Sequence, residues 1–364
     1  MRTGTANLPL HGGHCPPWLF EKMKELGVAI IEVIVDQYGT SEVLRRFADP
    51  VWFQSLGCLL GFDWHSSGLT TVLCGAIKEG LQHRGQELGI FMAGGKGRAS
   101  RRTPEEIHRL GSRFALDNRL TQLEYASRIT AKVDSNLVQD GYQLYHHVLL
   151  FDHEGEWAVV QQGMHQQKRS ARRYHWLSDG LVDFVHEPHS GICGRQQSGV
   201  LDLTAHANEA LRDASIESVR LLPGETMRIL KSGVQSSLIL SPDHPVPQVT
   251  RLNRILHQLY ERPPQDYEEL TATPGVGART LRALAMVAEV AFGARPAFRD
   301  PVRYAFAHGG KDGHPFPIDR TEYERTLALF REALNRAKLG QRDKMEALRR
   351  LSGLDKARLA SEQH

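Results

Sequence analysis

Apolar residues recur at helical spacing over the first fifty positions. Trp18, Leu19, Met23, Leu26, Ile30, Ile31 and Ile34 fall mostly three or four apart, which predicts a helix with one core-facing stripe. Val43 and Leu44 belong to a second helix after Gly39, and Asp49-Pro50-Val51-Trp52-Phe53-Gln54 starts another helical stretch. Asp63-Trp64-His65-Ser66-Ser67-Gly68 caps a helix from about Leu69 to Gly80. The pattern then shortens. Ile90 to Ala93 reads as a strand ending in Gly94-Gly95-Lys96-Gly97, and Thr103-Pro104 opens the next helix with a good cap and a first-turn proline. Tyr142, Leu144, Val148, Leu149, Leu150 and Phe151 form one strand of a β-hairpin. Asp152-His153-Glu154-Gly155-Glu156 is the turn, and Trp157-Ala158-Val159-Val160 returns. Strand-like pieces continue to about 203, after which the pattern is helical, with a proline-rich joint at 241–248. The expected class is α+β: a mixed domain over 1–202, a helical domain over 203–351 and a tail over 352–364.

Within the helical part, Thr273-Pro274-Gly275-Val276-Gly277-Ala278-Arg279-Thr280 predicts a helix-hairpin-helix at about 264–292. Tyr267-Glu268-Glu269-Leu270 ends the first helix, and Leu281, Leu284, Ala285, Val287, Ala288 and Ala291 stripe the second. Glycines leave backbone N–H groups bare at the second helix's positive end, where a phosphate fits. Gly275, Val276, Gly277, Arg279 and Thr280 are therefore candidate contacts to a DNA backbone, of a kind that fixes position and reads no sequence.

With Asp300 following the extended Pro296-Ala297-Phe298-Arg299, residues 250–305 resemble the helix-hairpin-helix DNA glycosylases, the endonuclease III superfamily. The resemblance implies a DNA-repair role in which Asp300 stabilises the cationic sugar, or activates water, as a damaged base leaves. It departs from the family at three points. Arg279 stands where bifunctional members carry a nucleophilic lysine, and Arg cannot shed its proton to attack. No four-cysteine cluster follows the domain. Asp300 lies slightly farther from the hairpin and precedes Pro301. A monofunctional enzyme is what the resemblance leaves.

The chain's 364 residues suffice for two or three domains, and its net charge of +3 does not itself announce a nucleic-acid binder. The distribution says more. Lys96, Arg98, Arg101, Arg102, Arg109 and Arg113 cluster, as do Lys168, Arg169, Arg172 and Arg173. Of these, Lys96, Arg101, Arg102, Arg172 and Arg173 are candidate phosphate contacts. Lys311, in Gly309-Gly310-Lys311-Asp312-Gly313, is another. Tyr174, His175 and Trp176 follow the arginines and could stack on an exposed base. The glycine loop at 94–97 is a possible phosphate cradle, without the spacing of a nucleotide-hydrolysing P-loop.

A rival enzyme reading comes from the β-hairpin. Asp134 and Asp140 precede it, and carboxylates at one sheet end could hold a divalent metal in a nuclease. Gln161 and Gln162, however, occupy the place of the acidic residue and lysine such a site would carry. A third reading is a non-catalytic DNA clamp. Under the glycosylase and clamp readings no cofactor is implied. Histidines at His11-Gly12-Gly13-His14 and His186-Glu187-Pro188-His189 lack a second half at zinc-finger spacing. The four cysteines, Cys15, Cys58, Cys74 and Cys193, form no CxxC pair, and no apolar run would span a bilayer. A cytoplasmic protein that binds no membrane is expected.

Asp49-Pro50-Val51-Trp52-Phe53-Gln54, Gly94-Gly95-Lys96-Gly97, Gln161-Gln162-Gly163-Met164 and Ala171-Arg172-Arg173-Tyr174-His175-Trp176 also resemble motifs of a bacterial and archaeal family known as a domain of unknown function. That likeness implies membership over nearly the whole chain and no particular chemistry.

Overall fold

An antiparallel five-stranded sheet organises the chain, in the order β1 (Ile90–Lys96), β3 (Gln143–Asp152), β4 (Trp157–His165), β5 (Ser170–Leu177) and β6 (Gly191–Cys193). The short strands β2 (Val138–Gln139) and β7 (Leu201–Asp202) pair separately. The computed structural model describes residues 8, 10, 14–62, 67–113, 116–232, 249–302, 328, 330–336, 344–345 and 347–351. Asp63-Trp64-His65-Ser66 and Lys311 lie outside the described residues.

Side chains alternate across the sheet and feed two cores. Val148, Leu150, Ala158 and Val160 face α1 (Pro17–Tyr38), α2 (Thr40–Ala48), α3 (Pro50–Leu59) and α4 (Gly68–Leu88). Phe330 joins this layer, its ring stacked 5.5 Å from that of Trp52. The stripe of α1 is buried from Met23 to Ile34, but it starts later than its pattern suggests, since Trp18 is 65% exposed.

Leu149, Phe151, Val159 and Trp176 face the opposite core. There they meet α6 (Thr103–Arg113), which follows the short α5 (Arg98–Arg101), and α7 (Asp117–Asn136). The same core takes residues from α8 (Glu209–Val219), α9 (Pro223–Lys231), α10 (Val249–Glu261), α11 (Tyr267–Ala272) and α12 (Ala278–Phe292). Residues on both sides of position 202 thus share one interior. Leu281 and Leu284 are fully buried in it, each contributing about 2 kcal/mol by leaving water.

The chain is an α+β protein, and among its described residues no helix is long and apolar enough to cross a membrane. At 267–292 two helices flank a five-residue connection, with Gly275 at φ +89°.

Candidate functional site

Three polar residues near the end of α7 organise the surroundings of this turn. A helix leaves its last carbonyls without partners. Those of Thr271, Ala272 and Thr273, closing α11, all accept from Lys132 Nζ, at 3.0, 2.8 and 3.0 Å. A cation there also complements the negative end of the helix, although burial pushes the Lys132 pKa down. One turn later, Asn136 Oδ1 accepts the N–H of Ala278, the first residue of α12, at 3.0 Å. Gln139 then donates to Ala278 O and accepts from Arg282 Nε. The two helices are thereby held to α7 through the ends that meet the turn.

What remains outward is an exposed loop. Gly275 and Arg279 are exposed, while Gly277 is half-buried. No hydrogen bond among the described residues occupies the N–H of Gly275, Gly277 or Arg279. Val276 and Thr280 behave differently from expectation. Their side chains are buried, and the Thr280 N–H bonds to Gly277 O at 2.9 Å. They anchor the turn from beneath because an apolar side chain and an already paired donor have nothing to offer a phosphate.

The second expected cluster is interior. Arg172 is fully buried on β5. Its Nη1 lies 2.7 Å from Asp140 Oδ2 and its Nη2 2.6 Å from Asp300 Oδ2. Asp140 also accepts the Tyr174 hydroxyl and the Tyr142 N–H. Burial pushes its pKa up to about 6, against the pull of Arg172. Asp300 additionally takes the N–H groups of Gln197 and Val302, at 2.7 and 2.9 Å. It is delivered there by Asn208, which bonds both backbone groups of Ala297, and by a bridge between Leu201 and Phe298.

Arg173 points to the other face and is also fully buried. It donates to Gln54 Oε1 and Thr70 Oγ1, and its guanidinium carbon lies 4.7 Å from the Phe53 ring centre. Tyr174, His175 and Trp176 are completely buried too. The expectation that 172–176 would grip phosphates and stack on a base is therefore corrected. Strand alternation sends every one of these side chains into a core, where no base can reach.

Asp134 belongs to a separate network. Its Oδ1 lies 2.5 Å from His189 Nε2, and its Oδ2 accepts from Gln161 Nε2 at 2.6 Å and Trp176 Nε1 at 3.1 Å. Burial raises the Asp134 pKa, with His189 opposing. Gln161 continues the chain: its Oε1 lies 3.0 Å from His147 Nδ1, whose Nε2 meets Ser127 Oγ at 2.9 Å. Because the Gln161 amide must donate to Asp134, its oxygen accepts from His147. That fixes the neutral tautomer with hydrogen on Nδ1, and burial lowers the His147 pKa to about 4. His189 Nδ1 has no partner among the described residues and is not sealed from solvent. On the other face, Gln162 accepts from Thr70 Oγ1 at 2.6 Å and donates to Ser67 O at 2.8 Å. Asp134 and Asp140, expected around one metal, thus stand in different networks, one tied to His189 and the other to Arg172.

Lys96, Arg101 and Arg102 are exposed beside β1, with β3 and β4 between that strand and β5. The glycine cradle next to them is already filled. Glu106 Oε2 accepts the Gly94 N–H at 2.9 Å and Lys78 Nζ at 2.7 Å. Gly94 is needed for another reason: at φ +101° a Cβ would stand 2.2 Å from His147 O.

Sequence reading overlooked Lys132, Asn136 and Gln139. Leu123, Ala126, Ile129 and Val133 fall at helical spacing and are all buried. That stripe would have predicted α7, with Lys132 and Asn136 one turn apart beside it.

The chain belongs to the family described as protein of unknown function (DUF763), matched over residues 4–318. No curated protein and no solved structure matches it.

Proposed function

We propose that this family member holds duplex DNA by its phosphate backbone at the turn 275–279. One observation carries the reading: an exposed turn, held by α7, whose Gly275, Gly277 and Arg279 N–H groups have no acceptor among the described residues. Unpaired amides at a helix's positive end attract an anion, and the Arg279 side chain adds a full charge beside them. Such contacts are blind to sequence. Fluorescence anisotropy with two unrelated duplexes tests this. Equal affinities that fall steeply with added salt are expected. Absence of binding at low salt, or strong preference for one duplex, would overturn it.

Hydrolysis of an N-glycosidic bond at Asp300 ranks below this holding role. To reach a sugar, the carboxylate would have to leave Arg172 and two backbone donors. A metal-dependent nuclease at Asp134 and Asp140 ranks lower still, since a shared cation would have to displace both His189 and Arg172. If the protein is hydrolytic, the Asp134–His189 pair favours a different centre. A buried carboxylate orients the imidazole while Nδ1 stays open to take a proton from water. Incubating damaged and intact duplexes with wild type and His189→Gln, resolved before and after alkali, separates these outcomes. Product lost in the variant supports the dyad, and no product at all supports holding alone.

A further inference from the structure

Between α4 and α6, two adjoining cavities of 610 and 500 Å³ share Lys78, Glu106 and Arg109. Their linings bring together Lys78, Arg98, Arg102, Arg109 and Arg113, against Glu105 and Glu106. Five cations against two carboxylates leave a formal +3, which equals the net charge of the entire chain. The groove linings thus carry a local excess of positive charge.

The local pairing sharpens that field. Glu106 is spent internally on Lys78 and the Gly94 N–H. Its contact with Arg109 is long, at 3.4 Å. Arg98 and Arg102 are exposed and form no ion pair among the described residues. Three guanidiniums thus rim the first cavity. The second has a different character: Leu81, Phe91, Met92 and Leu110 provide an apolar floor, edged by Gln82 and Gln86. A cationic rim leading to an apolar floor with amide edges matches a ligand with phosphates at one end and a flat heterocycle at the other. Each cavity is also within the size range of small-molecule sites, roughly 300–1,000 Å³.

We propose that the α4–α6 groove binds a nucleotide, its phosphates on Arg98, Arg102 and Arg109 and its base over Phe91 and Met92. The site is separate from the 275–279 turn and does not depend on that turn's holding DNA. Free nucleoside polyphosphates and the 5′-phosphorylated end of a single strand share this chemistry.

Isothermal titration of the full chain with ATP, adenosine, pyrophosphate and a short 5′-phosphorylated single-stranded oligonucleotide tests the assignment. ATP or the oligonucleotide should bind, and adenosine should bind far more weakly. Whichever of the two binds identifies the source. Losing charge-assisted contacts in R98Q/R102Q should weaken that binding by about tenfold or more. Arg109→Gln should do so independently, and Gly275→Val should leave it unchanged. No heat with either phosphate ligand, equal binding of adenosine, or unchanged affinity in both groove variants would overturn the proposal. Because Gly275→Val reports on the turn alone, failure at the groove is distinguishable from failure at the turn.

Discussion

The guanidinium of Arg172 and the carboxylate of Asp300 meet at 2.6 Å in the interior, 128 positions apart in the chain. Their contact ties the extended segment after α12 to β5. Removing the Asp300 charge leaves the buried Arg172 with one carboxylate, Asp140, instead of two, which costs about 1–3 kcal/mol. Asp300→Asn should therefore lower unfolding free energy by about that amount, read from urea titration monitored by circular dichroism. Unchanged stability would mean that this ion pair does not hold the segment.

The turn at 275–279 should respond to two changes in different ways. Gly275→Val places a β-branched residue at φ +89°, a strain of about 1–2 kcal/mol, and covers a bare amide. DNA affinity should fall equally on every duplex. Arg279→Gln removes one cation and should reduce the slope of log affinity against log salt by about one. Identical salt slopes for wild type and Arg279→Gln would exclude that side chain from phosphate contact.

Lys132 Nζ donates to the carbonyls of Thr271, Ala272 and Thr273, where α11 ends. Lys132→Met should leave the global fold in place while amide hydrogen exchange across 267–280 accelerates. DNA affinity should fall with it. Weakened binding without faster exchange would instead point to a direct Lys132 contact.

His147 gives a pH dependence whose sign can be worked out. Its folded pKa, about 4, lies below the ordinary 6.5, so the native state resists a proton that the unfolded chain accepts. Its contribution is intact above pH 6.5 and is lost progressively as pH falls toward 4, to a total of about 3 kcal/mol. His147→Gln should flatten that part of the stability profile. Parallel stability profiles for wild type and His147→Gln between pH 7 and 4 would contradict the buried neutral assignment.

The sequence made some of this legible and concealed the rest for physical reasons. The 275–279 turn could be read because its requirements are local: positive φ, bare amides and a following apolar stripe all lie within twenty residues. The mixed class and the hairpin of β3 and β4 could be read from period changes. Residues 172–176 misled because cations and aromatics look like a surface motif when burial is unknown. Only the pairing of β5 between β4 and β6 sends Arg172 and Arg173 inward, and only tertiary structure brings Asp140 and Asp300 to meet the first of them. Asp134 and Asp140 are six residues apart in sequence, but the end of α7 separates their partners.

Gln161 and Gln162 are consecutive, yet their amides serve opposite sides of the sheet, one bound to Asp134 and the other to Thr70. A one-residue slip of β4 would exchange them with their neighbours and turn its apolar side chains to the wrong faces. It would also leave either Thr70 or the Asp134 and His147 pair without an amide partner, since only one of the two glutamines would still fill a vacated place. Mispaired versions of the hairpin are therefore penalised on both faces at once. The adjacent glutamines therefore help to specify the register of β4.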